Sequence, residues 1–108
     1  MTKIVKKGEK GELMLKATAR FRTENGRKYL VQLCKHFAHR IEVEYTEEKG
    51  RCMLPSGRAE MAADDEGITF VVSAEEETGL ERAKDVISSH LARFAFRENL
   101  EDLPWSAA

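Results

Sequence analysis

The chain has no long apolar run. Nowhere do eighteen apolar residues occur together, so no membrane-spanning helix is expected. Its opening, MTKIVKKGEKGE, has lysines but lacks the apolar stretch of a secretory signal, which points to the cytoplasm. Cysteine is scarce: Cys34 and Cys52 form neither a CxxC motif nor a disulfide framework, and a reducing compartment would keep them as thiols. Neither sign of charge dominates, since 18 basic residues face 19 acidic ones, which excludes a nucleic-acid binder that relies on a strong general field. Only 7% of the residues are aromatic, and Phe21, Tyr29, Phe37, Phe70 and Phe94 fall on faces expected to be buried, so no base-stacking platform is expected. The chain also lacks a nucleophile elbow, a phosphate-cradling glycine loop, an HExxH pair and a dinucleotide fingerprint.

What remains is ordinary globular chemistry, 42% hydrophobic and 34% charged, in 108 residues. That length fits one domain able to bury roughly two-thirds of its unfolded surface. Residues 1–10 read as a flexible lead-in, and residues 11–108 as the domain. From Leu13 to Arg22 apolar and polar residues alternate, as a half-buried strand requires. Thr23 is placed to cap a helix running to about His39, with Leu30, Leu33, Cys34 and Phe37 as its buried stripe. Four short alternating segments follow, with Ile41, Val43 and Tyr45 inward on the first, and tight turns make them an antiparallel meander. A second helix carries Leu80, Ala83, Ile87, His90, Leu91 and Phe94 on one side, with Gly79 weakening its first turns.

The predicted order is β-α-β-β-β-β-α. It implies an α+β two-layer sandwich of about five strands with both helices on its one apolar face, as in one repeat of the TATA-binding-protein-like fold. That scaffold serves unrelated purposes and carries no function with it.

Chemistry concentrates in LCKHFAHR, residues 33–40, and in a histidine on the second helix. At about 100° per residue Cys34 and His36 point roughly 160° apart, so they do not share an ion. His36, His39 and His90 can converge where the helices lie side by side, and they form the candidate metal site for zinc or iron, with Glu98 or Asp85 completing the sphere. The competing structural reading puts His39 on the last carbonyls of its helix, His36 at the core boundary and His90 in the core, satisfied by a hydrogen bond; the residues alone favour it. Arg93, Arg97 and Glu98 would bind a ligand or form a structural network. Phe96 and Trp105 lie off the core stripe and would form a homodimer interface. An acid–base enzyme using His90 with Arg93 or Arg97 ranks third.

Taken together, RKYLVQLCKHFAHR and ISSHLARFAFRE resemble DUF2218, a family of small bacterial domains of unknown function, over nearly the whole length from Leu15 to Trp105. The resemblance marks His36, His39, His90, Arg93, Phe94, Arg97 and Glu98. Members fused to siderophore-interacting, ferric-reductase-like proteins imply a role near iron acquisition, with a partner acting in trans because this chain has no flavin or nicotinamide domain. The resemblance implies no activity.

Overall fold

The alternation around Ala17 and Ala19 becomes strand β1 (Leu15–Arg22) in the computed structural model of the chain, which describes residues 14–100 and 102–108. The lead-in at residues 1–10 and the start of the alternation at Leu13 lie outside the described residues. After β1 come helix α1 (Gly26–Phe37), strands β2 (Val43–Tyr45), β3 (Lys49–Leu54), β4 (Gly57–Asp64) and β5 (Gly67–Ala74), helix α2 (Glu77–Phe94), a 3-10 turn (Phe96–Glu98) and strand β6 (Ser106–Ala107). The sheet has the order β2-β3-β4-β5-β1-β6, with every neighbour antiparallel. Helix α1 carries the chain from β1 to the far edge, and the meander walks back until β5 pairs with β1 from Leu15↔Ala74 to Arg22↔Gly67.

Alternation fixes which face is covered. Cys52, Leu54, Ala59, Met61, Ala63, Ile68, Phe70 and Val72 are buried in one cluster with Leu30, Leu33, Cys34 and Phe37 of α1 and Ala83, Ile87 and Leu91 of α2. Both helices therefore lie on one side of the sheet. Burying an aliphatic side chain such as Leu30 or Ile87, each wholly enclosed, contributes about 1.5–3 kcal/mol. On the opposite face Arg51 pairs with Glu44 at 2.7 Å, and Arg20 donates to Thr69 and Asp64. No helix among the described residues is long and apolar enough to cross a membrane.

Several local expectations are corrected. Helix α1 ends at Phe37, not His39, because the Phe37 carbonyl accepts from the amides of both Arg40 and Ile41 at 3.0 Å and turns the chain away. Its N-cap is Asn25; Thr23 sits two residues earlier, where its Oγ1 accepts the Asn25 amide at 3.0 Å. Tyr45, expected inside, is 40% exposed, since β2 is a three-residue edge strand. The sheet gains a sixth strand from the tail. Trp105 is committed to its own chain: its indole Nε1 donates to Ser88 Oγ at 2.9 Å, and its ring lies 6.4 Å from that of Phe70. Phe96, just beyond the end of α2, remains 64% exposed.

Candidate functional site

Because both helices share one sheet face, the last turn of α1 meets the last turns of α2, and the imidazoles of His36 and His90 lie with centroids 4.9 Å apart and planes tilted by 46°. Phe37 flanks His90 at 5.1 Å, and Phe94 flanks His36 at 6.1 Å. His90 is half-buried, with Nδ1 2.7 Å from the carbonyl oxygen of Val86. A carbonyl only accepts, so Nδ1 carries the proton, and in the neutral ring Nε2 keeps its lone pair. A backbone carbonyl fixing one nitrogen is the arrangement that orients metal-binding histidines. It is equally the bond that satisfies a half-buried imidazole.

His36 lies on the exposed side of the pair. Partial desolvation pulls its pKa below the usual 6.5, and His90, Arg93, His39 and Arg40 add to the effect in that order. It is therefore mainly neutral near pH 7, with a lone pair available. The charged neighbours that act most on it are all basic. Among the described residues neither Arg40 nor Arg93 has an ion-pair partner.

The structure does not assemble the expected sphere of three histidines. With α1 ending at Phe37, His39 falls in the following turn, exposed and outside the ring contacts of the pair. Among the described residues no group of three or more histidine, cysteine, aspartate or glutamate side chains is placed to hold a metal ion. Asp85 is exposed on α2, away from His90 by the helical period. Cys34 is enclosed in the core with Cys52, whose thiol is pushed up by its hydrogen bond to Cys34 and by burial, so it stays protonated.

Glu98 is occupied elsewhere. Its Oε2 accepts from Thr23 Oγ1 and Asn25 Nδ2, each at 3.0 Å, and from the Tyr29 hydroxyl. Burial alone would raise the Glu98 pKa, but the hydrogen bonds from Tyr29, Asn25 and Thr23 outweigh it and hold the carboxyl below its ordinary range. Burial and the bond to Glu98 push the Tyr29 pKa up to about 12. The acid thus ties the end of α2 to the start of α1, the structural half of what the sequence left open for it.

Beside this clamp lies a cavity of about 360 Å³ between the first turns of α1 and the 3-10 turn. Lys28 and Arg97 stand at it with Phe94 and Phe96, and the Arg97 guanidinium lies over the Phe96 ring at 5.4 Å. Gln32 also lines it, and its Oε1 is enclosed without a hydrogen-bond partner. Sequence reasoning missed Gln32, Lys28 and Tyr29. The available signals were that Gln32 precedes His36 by one helical turn and that a tyrosine on a buried stripe needs an acceptor for its hydroxyl.

Comparison with known proteins agrees with this architecture. The profile of a family described as an uncharacterized protein conserved in bacteria, DUF2218, matches residues 18–106. The NMR structure of PA4090 from Pseudomonas aeruginosa is similar at 30% sequence identity with a TM-score of 0.71, over 88% of this chain and 96% of that one. No curated protein matches. Because that profile spans most of its length, the chain belongs to the bacterial family DUF2218.

Proposed function

We propose that the protein is a small binding module for an anionic metal chelate, with His36 and His90 donating the two ligands that the chelate leaves open. One observation carries this reading: two imidazoles from different helices, one of them oriented by a backbone carbonyl, meet at 4.9 Å, and the other charged groups that act most on His36, namely Arg93, His39 and Arg40, are basic. A bare dication would be repelled by Arg40 and Arg93 and would find only two side-chain ligands. An anionic chelate brings its own donors and turns both arginines into partners. Imidazole suits zinc and iron alike. The siderophore-associated relatives implied by the family resemblance favour an iron-linked role in the cytoplasm, with a reductase acting in trans.

The test is calorimetry on untagged protein with zinc nitrilotriacetate, an anionic chelate that leaves coordination positions free. Binding of one chelate, tighter than that of zinc chloride and weakened at least tenfold by His36→Ala or His90→Ala but not by His39→Ala, is the expected result. Equal binding by the His36→Ala/His90→Ala double variant would end the proposal.

A second reading, a homodimeric interaction domain, is favoured by the exposure of Phe96 alone. Sedimentation of wild type and Phe96→Ser separates it: a dimer lost in the variant supports it, and unchanged sedimentation removes it.

A further inference from the structure

We infer that the cavity beside the Glu98 clamp is a subsite for a small planar aromatic carboxylate carrying a hydroxyl donor. The chemistry of the walls selects this class. Phe94 and Phe96 give the lining aromatic surface for a flat apolar body, and at about 360 Å³ the cavity is near the small end of ligand sites. Lys28 and Arg97 supply cations at the same opening, and among the described residues neither has an ion-pair partner. Arg97 already stacks on Phe96, which sets its planar fork beside the ring that a ligand would cover.

Glu98 is the one acid lining the cavity, and its charge opposes an anion. Three neutral donors already engage its Oε2 within the clamp, and two cations stand against its single charge. Gln32 supplies the remaining specificity. Its side chain lines the cavity and its Oε1 is an enclosed acceptor without a partner, so a hydroxyl on the ligand is the group that would complete it once the amide turns toward the opening. Neither histidine lines this cavity, so the inference does not depend on metal binding.

The experiment titrates 4-hydroxybenzoate into the full isotope-labelled chain and follows amide chemical shifts. Saturable shifts confined to the start of α1 and to residues 94–98 are expected. Benzoate should bind several-fold more weakly, and phenol and cyclohexanecarboxylate at least tenfold more weakly. Arg97→Ala should weaken 4-hydroxybenzoate at least tenfold, and Gln32→Leu should abolish its advantage over benzoate. Zinc nitrilotriacetate should not compete with 4-hydroxybenzoate, which separates this site from the chelate site. Absence of saturation at millimolar ligand, full affinity in Arg97→Ala, or phenol binding as well as the acid would each overturn the inference.

Discussion

At the scale of single residues, the hydrogen bond between Tyr29 and Glu98 ties the 3-10 turn after α2 to helix α1. Their side chains meet across 69 positions of sequence. Removing the acceptor is worse than removing the donor, because the Tyr29 hydroxyl would remain in a side chain only 5% exposed. Glu98→Ala is therefore expected to destabilise by about 1–3 kcal/mol and Tyr29→Phe by about 1 kcal/mol. The double variant should cost less than the sum, a non-additivity read from urea unfolding of the full cycle. The same pair predicts two pH legs. The Tyr29 pKa is raised from 10.0 to about 12, so its contribution is complete below pH 10 and is lost as pH climbs from 10 to 12. Tyr29→Phe should flatten that alkaline decline. Glu98 is shifted the other way, so its contribution is present above the ordinary carboxyl range and disappears as pH falls through the depressed value. Acid unfolding of Glu98→Gln should accordingly be less steep than that of wild type.

At the scale of elements, Gly79 in the first turn of α2 sets intrinsic propensity against packing. Propensity alone says that Gly79→Ala should stabilise the helix by up to about 1 kcal/mol. A Cβ there would stand 2.6 Å from the carbonyl oxygen of Ser56, in the turn between β3 and β4, so helix and turn would have to separate. Overpacking of this kind costs about 1–3 kcal/mol, and we expect destabilisation; a rise in the urea midpoint would show that the turn yields freely. The glycine that looks like a weak point in the sequence is thus a close-approach point in space. The same distinction separates what the sequence reveals from what it hides. Stripes such as Leu30, Leu33, Cys34 and Phe37 are legible because side-chain spacing directly reports burial. The meeting of His36 with His90 is legible because two amphipathic helices must share the single apolar sheet face. Tyr45 is not, since alternation gives a strand its faces but not its place at an edge. The separation of His39 hinges on where α1 stops, which Phe37 carbonyl bonding decides. Gln32 and the Tyr29–Glu98 clamp depend on contacts between distant segments, for which a local pattern has no sign.

At the scale of the whole molecule, the tail decides how the sheet ends. Strand β1 has a full-length neighbour in β5, but among the described residues its other side pairs only Ala17 and Thr18, with Ala107 and Ser106, and the Ala108 amide reaches Lys16 O at 3.1 Å. Trp105 holds this short strap in place through Phe70 and Ser88, with Leu103 buried beside the core. Packing and edge protection can be separated by two variants. Trp105→Ala removes apolar cover from a partly buried site and should cost about 2–3 kcal/mol, below the ~3–5 kcal/mol of a fully enclosed aromatic. Deleting residues 104–108 removes that cover and also leaves the β1 backbone groups at Lys16 and Thr18 open to another chain. The truncated protein should therefore self-associate more steeply with concentration than Trp105→Ala at equal fraction folded, as measured by sedimentation below the unfolding transition. If the two variants sediment alike, the strap is packing alone, and the two-residue strand adds nothing to the protection of the sheet.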